Sequence, residues 1–187
     1  MPIHVSLANS KLGKIPNISL VPGKDCGNCQ PCIKECYAQT PYRLYPSVRE
    51  AWNENSKIIR SNYLDFFFQL YVWFTAQKRR PTFFRVHVAG DFLGQKIVDE
   101  WFKLARTYHK TRFFAYTKMN FDYSRKPENF SIIFSQWPNT PLIGNTERSS
   151  WLSSDPRAPE DAFRCQKSCD KCKYCWTGDK DVVMELH

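Results

Sequence analysis

The chain lacks the long apolar segments of a membrane protein. Its longest strongly apolar run, residues 63–74, is twelve residues long and contains Asp65 and Gln69. A helix that crosses a bilayer needs roughly 20 apolar residues. The first residues also lack the apolar stretch of a secretion signal. These absences predict a soluble, cytoplasmic protein with no membrane partner.

Acidic residues are few relative to basic ones, with 18 Asp and Glu against 27 Lys and Arg, which gives a formal net charge of +9. Hydrophobic residues nevertheless make up 42% of the chain and aromatic residues 16%. That content is enough to form a core and excludes a disordered tail protein. At about 150 residues per domain, the length predicts a single domain over residues 1–187.

The excess of positive charge suits a polyanionic partner. A basic surface binds phosphates through counterion release, and aromatic faces stack on unpaired bases, so DNA or RNA is the predicted partner. The alternative is that the charge only aids solubility. The basic residues considered for this surface are Lys78, Arg79, Arg80, Arg85, Lys103, Arg106, Lys110, Arg112, Arg125 and Lys126.

Cysteine is missing from the whole middle of the chain. All eight cysteines fall into two segments, 26–36 and 165–175, with the spacings C-x2-C-x2-C-x3-C and C-x3-C-x2-C-x2-C. A secreted disulfide scaffold spreads its cysteines through a smaller chain, so this clustering favours two metal-binding segments. The predicted ligands are Cys26, Cys29, Cys32, Cys36, Cys165, Cys169, Cys172 and Cys175.

The cysteine spacing also bears on the kind of metal centre. Four thiolates suit zinc or an iron–sulfur cluster. Zinc ribbons draw two cysteine pairs from segments about 12 to 20 residues apart, whereas the first segment here repeats the bacterial ferredoxin run, with Tyr37 in place of its final proline. We therefore predict one or two 4Fe–4S clusters, with zinc as the alternative and disulfides or free thiols as a third.

Hydrophobic periodicity predicts an α/β fold with an open parallel sheet and cysteine-rich metal-binding segments at both ends. Apolar spacings of three and four predict helices over residues 47–59, 61–80 and 97–109, the second of them apolar nearly all round and so buried on two sides. Aromatic and β-branched runs predict strands at 18–21, 82–88, 112–117, 131–135 and 141–145, and residues 149–159 have the composition of a loop. The strand–turn–helix–strand order predicts a right-handed βαβ unit.

Candidate site residues lie where two predicted strands end. The candidate catalytic residues are His87 and Asp91, and the candidate cofactor-binding residues are Gly90, Tyr116 and Lys118. Ligands of α/β proteins bind outside the carboxyl ends of parallel strands, and strand alternation places His87 on the face opposite to Val86 and Val88. The alternatives are a strand-ending turn with a helix cap for Asp91, and a hydrogen-bonded core histidine for His87.

Five strings distributed in order over nearly the whole chain carry a family resemblance. They are SLVPGKDC at 19–26, CIKECYA at 32–38, FRVHVAGDF at 84–92, FAYTK at 114–118 and C-x2-C-x2-C-W at 169–176. Together they resemble the phage "gene product 88" domain family. The resemblance implies a protein of phages or mobile elements, made in the cytoplasm of a bacterial host cell.

More distantly, the CYA string and the His-x2-Gly-Asp motif resemble the radical S-adenosylmethionine (SAM) enzymes. That resemblance implies a 4Fe–4S cluster, SAM as a cofactor and an incomplete (β/α) barrel, since this length leaves room for about four βα units. The C-x3-C-x2-C order of those enzymes occurs here at Cys165, Cys169 and Cys172 and is reversed in the first segment.

Three functions follow as hypotheses. The first is an iron–sulfur protein with a radical-SAM-like core, enzymatic in character, that acts on or near nucleic acid. The second is a non-enzymatic nucleic-acid-binding module with structural clusters or zinc. The third is an electron-transfer protein with two clusters.

Overall fold

The computed structural model describes residues 2–29, 31–144 and 147–186, which form a parallel β-sheet with its long helices on one face and a short helix on the other. The helices are α1 (Gln39–Leu44), α2 (Pro46–Ser61), α3 (Tyr63–Ala76), α4 (Gln95–Thr107), α5 (Cys169–Cys172) and α6 (Tyr174–Thr177), with a 3-10 turn at Ile33–Glu35. The strands are β1 (Phe83–Arg85), β2 (Arg112–Thr117), β3 (Phe130–Ser135), β4 (Arg148–Leu152), β5 (Phe163–Arg164) and β6 (Val182–Met184).

The sheet has the order β1-β2-β3-β4-β6-β5, and every neighbouring pair of strands is parallel. It curls into an open half-barrel, so the α/β class and the incomplete barrel are confirmed. The βαβ order and its parallel pairing are confirmed by β1, α4 and β2, and the right-handed crossover stays a prediction. The predicted strand at 112–117 coincides with β2.

The convex face of the sheet is covered by α2, α3 and α4 and forms the main core. Phe113 and Ala115 of β2 point to this face because alternate residues of a strand share a side. The ring of Phe113 lies 5.7 Å from that of Phe74 on α3 and 5.8 Å from that of Phe130 on β3. Trp101 of α4 is fully buried and packs edge-on against Phe67. The convex face is therefore closely packed and largely aromatic.

An extended N-terminal segment runs beside β1 and continues the sheet. Ile18 donates its N–H to Arg85 O at 3.2 Å, and Leu20 donates to Ala89 O at 2.9 Å. Asn17 forms a parallel bridge with Arg85. The predicted strand at 18–21 is thus an extended segment with a bridge and leads directly into the first cysteine segment.

Several details of the fold differ from the prediction. Strand β1 covers only 83–85 of the predicted 82–88, and α3 ends at Ala76 instead of residue 80. Residues 141–144 form no strand, and Asn145 lies outside the described residues. The fourth strand is instead β4, within the region predicted as a loop, because the Ser-rich run 148–152 pairs with both β3 and β6. Helix α3 is not buried on two sides: Leu64, Phe68 and Val72 are 56%, 65% and 51% exposed. In the described part of the chain, no helix has both the length and the apolar character needed to cross a lipid bilayer.

Candidate metal centre

The concave face of the sheet carries the second cysteine segment. Helix α6 lies over β2 and β3 on this face, where Phe114, Ile133 and Trp176 form a second, smaller core. The indole Nε1 of Trp176 donates to Phe84 O at 3.0 Å and anchors the segment to β1. The sequence folds this way because β2 presents Phe114 and Tyr116 on the side opposite to Phe113.

All four cysteines of this segment line a single small concavity of about 20 Å³. The cysteines concerned are Cys165, Cys169, Cys172 and Cys175. Cys165 follows β5 directly and donates its N–H to Val183 O on β6 at 2.8 Å. The hydroxyl of Tyr116 lies 3.4 Å from Cys175 Sγ, so the predicted cofactor-binding tyrosine reaches this thiol group.

Arg85, the last residue of β1, is buried next to this concavity and was not predicted as a site residue. Only 5% of its surface is exposed. Its guanidinium carbon lies 4.1 Å from the ring centroid of Phe114 and 4.6 Å from that of Tyr116. Among the described residues, Nη1 of Arg85 has no hydrogen-bond partner and the side chain forms no ion pair. The inclusion of Arg85 in a nucleic-acid surface is therefore wrong.

Tyr37 lies within the electrostatic influence of both cysteine segments and of Arg85. It follows Cys36 directly, is half exposed, and donates its hydroxyl hydrogen to Val88 O. Burial raises the pKa of this hydroxyl, the positive charge of Arg85 opposes the rise, and charges at Cys36, Cys26 and Cys169 add to it. One hydroxyl group thus lies within electrostatic reach of both cysteine segments, a proximity that chain position did not reveal.

Burial also affects the thiols themselves. It raises the pKa of Cys26 to about 11, with smaller contributions from charges at Asp91, Cys29 and Cys36. Burial likewise raises the pKa of Cys169, with Arg85 opposing the rise. These thiols are consequently protonated at neutral pH, and a metal that binds them must displace protons.

The thiols do not stand in a ligating arrangement. Within residues 2–29, 31–144 and 147–186, no group of three or more His, Cys, Asp or Glu side chains is placed to hold a metal ion. All eight cysteines are free and partly buried. Two thiols of the first segment point to backbone carbonyls instead: Cys29 Sγ lies 3.6 Å from Gly23 O, and Cys32 Sγ lies 3.5 Å from Cys29 O. Metal binding by these segments remains a prediction.

Asp91 and Lys118 meet at the carboxyl edge of the sheet, as their positions after β1 and β2 predict. Asp91 accepts hydrogen bonds from Thr117 Oγ1 at 2.7 Å, from the Lys118 N–H at 2.8 Å and from the Phe92 N–H at 2.7 Å. Burial raises the pKa of Asp91, and these hydrogen bonds oppose the rise. Lys118 Nζ donates to Ser135 Oγ at 3.0 Å. Asp91 caps no helix, since α4 begins after Gly94; it ties β1 to β2.

His87 lies apart from the other candidates. The strand ends at Arg85, and His87 has a φ of 47°, so alternation no longer applies. Its ring packs on the convex side at 5.3 Å from Phe92 and 5.7 Å from Trp101. Val86 lies in the same core and Val88 in the other, so the placement of His87 opposite to both valines is wrong. Burial lowers its pKa to about 3, with a smaller effect from Arg85.

Gly90 has a packing requirement that explains its presence in this turn. Its φ is +84°, and a Cβ at this position would lie 2.6 Å from Leu20 Cβ. A side chain here would separate the extended N-terminal segment from the end of β1. Gly90 therefore positions its neighbour Asp91, and a direct cofactor contact by Gly90 remains a prediction.

A family model described as "Gene product 88" matches residues 5–178. The chain belongs to the gene product 88 family. The predicted family resemblance is thereby confirmed. The matched region includes both cysteine segments, the Asp91 turn and the concave face except for β6.

Two phage proteins are similar to this gene product 88 chain. The "Gene 88 protein" of Mycobacterium phage D29 is 26% identical over 219 aligned positions, which cover 97% of this chain and 91% of that protein. The "Gene 88 protein" of Mycobacterium phage L5 is 25% identical over 152 positions, which cover 73% of this chain and 64% of that protein. No solved structure matches the chain. The similarity to radical SAM enzymes therefore has no support from these comparisons.

Proposed function

We propose that the protein is an iron–sulfur protein in which segment 165–175 binds a 4Fe–4S cluster on the concave face of the sheet. One observation carries this proposal: four cysteines line a single concavity beside the buried guanidinium of Arg85, which has no anionic partner among the described residues. Segment 26–36, which approaches the same guanidinium, would bind a second cluster.

The charge of Arg85 supports an anionic centre at this place. Moving a guanidinium from water into a protein interior costs several kcal/mol unless an anion compensates the charge. The faces of Phe114 and Tyr116 offset part of this cost, by about 0.5–2 kcal/mol each. A cluster ligated by four thiolates has a net negative charge and would supply the missing anion.

The donor set and its spacing support iron and sulfide over other occupants. Thiolates are soft ligands that suit iron–sulfur clusters and zinc. Four thiols within eleven residues match ferredoxin-type spacing better than the separated pairs of zinc ribbons. The thiols would have to rotate and lose their protons on binding, since no three of the described side chains are placed to hold a metal ion.

A bound cluster would supply one-electron transfer, and three residues would adjust its surroundings. The Tyr116 hydroxyl, 3.4 Å from Cys175 Sγ, would donate a hydrogen bond to a ligating sulfur. Arg85 would add a positive charge next to the centre, and both effects raise a reduction potential. Trp176 would keep water from the side that faces β1, because its ring is buried between Phe83 and Phe114.

Anaerobic purification followed by metal analysis tests the proposal. We expect about eight irons and as many sulfides per chain, with a broad visible absorbance, if both segments are loaded. Replacing Cys165, Cys169, Cys172 and Cys175 by serine would halve the iron content, and the same change at Cys26, Cys29, Cys32 and Cys36 is the matched control for the other segment. Zinc at stoichiometric amounts, or a folded protein without metal or sulfide, would contradict the proposal.

The same reduced sample separates an enzyme from an electron carrier. SAM cleavage needs an iron that lacks a protein ligand, and 5′-deoxyadenosine would be its product. Formation of this product on addition of SAM would support the enzymatic hypothesis. A reversible redox couple without SAM cleavage would support electron transfer.

A further inference from the structure

The amino edge of the sheet, at the opposite end of the strands from Asp91 and Lys118, carries a cluster of positive charge. Five exposed cations belong to it, and we call them the cationic edge: Lys78, Arg79, Arg80, Lys110 and Arg112. The first three join α3 to β1, Lys110 lies between α4 and β2, and Arg112 is the first residue of β2. Because β1 and β2 are parallel, both connections reach the same edge.

Several contacts hold the two connections side by side. Arg112 donates its N–H to Thr82 O at 2.8 Å, and Thr111 Oγ1 donates to Pro81 O at 2.7 Å. The guanidinium of Arg80 lies 5.7 Å from the ring centroid of Tyr108 at the end of α4. The cationic edge is therefore fixed by the sheet rather than assembled from independent loops.

Within the described part of the chain, no cation of the cationic edge forms an ion pair. The seven ion pairs among the described residues involve other cations, including Lys103, Arg125 and Lys126 of the predicted basic surface. The five charges of the cationic edge are thus available to an external anion. Their closeness gives a local positive potential that a solubilising distribution of charges does not need.

The surroundings of the cationic edge distinguish phosphate binding from base stacking. Single-stranded nucleic acids are usually held by exposed aromatic rings. The nearby Tyr108 is only 8% exposed and Phe113 is fully buried. Phe83, the strand partner of Arg112, is partly buried and packs against Trp176 and Lys173. We propose that this surface binds the phosphate backbone of double-stranded nucleic acid without reading its bases.

The salt dependence of binding to a short DNA duplex tests this proposal. Five phosphate contacts predict a slope of log K against log salt of about −4.5, and a double variant Arg79→Gln/Lys110→Gln is expected to reduce it by about two. The matched control is Lys57→Gln/Lys96→Gln, which removes two exposed cations from α2 and α4 and should leave the slope unchanged. Fluorescence anisotropy of a labelled duplex gives both values.

The experiment also distinguishes duplex binding from the binding of other polyanions, and its outcome does not depend on the metal proposal. The proposal would be overturned if the control variant weakened duplex binding equally. It would also be overturned if Arg79→Gln/Lys110→Gln left the slope of log K against log salt unchanged. Tighter binding of a single strand than of the duplex, or competition by polyglutamate as strong as by duplex, would overturn it as well. Duplex binding is measured without any metal readout, so the two proposals fail separately: a salt slope of about −4.5 in metal-free protein would support this surface even where metal analysis finds no cluster.

Discussion

The two faces of the sheet differ in composition and in the chemistry that they permit. On the convex face, β1, β2 and β3 contribute phenylalanines and aliphatic residues that pack against three helices. On the concave face, the same strands contribute Arg85 and Tyr116, and the covering segment contributes cysteines. Neighbouring residues of one strand thus serve different purposes: the convex face stabilises the fold, and the concave face presents ionisable groups in a partly apolar environment.

Phe113 and Phe114 give the most direct test of this difference, because they are adjacent in β2 and both almost fully buried. Phe113→Ala removes three ring contacts in the convex core, and we expect it to lower the free energy of unfolding by about 3–5 kcal/mol. Phe114→Ala should cost less, about 2 kcal/mol, because the short covering helices can move into the space. Urea unfolding of both variants measures the difference.

The two substitutions should have the reverse order of effect on metal retention. Phe114 contacts Arg85 and Trp176, whereas Phe113 contacts neither cysteine segment. Iron should therefore be lost faster to a chelator from Phe114→Ala than from Phe113→Ala. Equal unfolding costs together with equal iron loss would show that the two faces are not functionally distinct.

Arg85→Met sharpens the comparison by changing the concave face alone. In the metal-free protein we expect the variant to be more stable by about 2 kcal/mol, because a buried charge without an anion is removed and the stem still packs. In the metal-loaded protein it should be less stable than the parent, since the cluster loses its counter-charge. Urea unfolding with and without metal measures both changes in the free energy of unfolding.

Arg112→Met provides the control for Arg85→Met. It removes the same kind of charge from an exposed position on the next strand, so it should change the free energy of unfolding by less than about 0.5 kcal/mol in both states. Destabilisation of both states by Arg85→Met would mean that Arg85 acts through packing and that no anion is bound beside it.

The sequence predicted the convex face much better than the concave one. Long elements with clear periodicity, such as α4 and β2, are specified locally, and the strand at 112–117 was located correctly. Strands β5 and β6 contain two and three residues, too few for a periodic pattern, and they exist because they pair with each other and with β4. Arg85 faces the concave side because of its place in β1, a strand of only three residues. It is buried there because the second cysteine segment, which lies near the other end of the chain, covers this face. The sequence prediction considered only the charge of Arg85 and therefore placed this residue on the surface.

His87, on the convex face, makes the free energy of unfolding depend on pH. Burial keeps the pKa of His87 at about 3, against an ordinary value of 6.5. Below pH 6.5 the unfolded chain therefore binds a proton at His87 that the folded chain does not. The contribution of His87 is fully present above pH 6.5 and is lost as the pH falls towards 3, by about 2 kcal/mol at pH 5.

His87→Asn removes this titration while keeping a residue that tolerates a positive φ. The variant should be less stable than the parent at pH 7, and the gap should shrink by about 2 kcal/mol between pH 7 and pH 5. His109→Asn, at an exposed position, should leave the gap constant over the same interval. Because carboxylates titrate alike in all three proteins, the differences in the free energy of urea unfolding report the titration of the histidine alone. A constant difference in stability between His87→Asn and the parent would mean that water or an ion reaches the His87 ring in the folded protein. The convex face would then not differ from the concave face in its exclusion of polar groups.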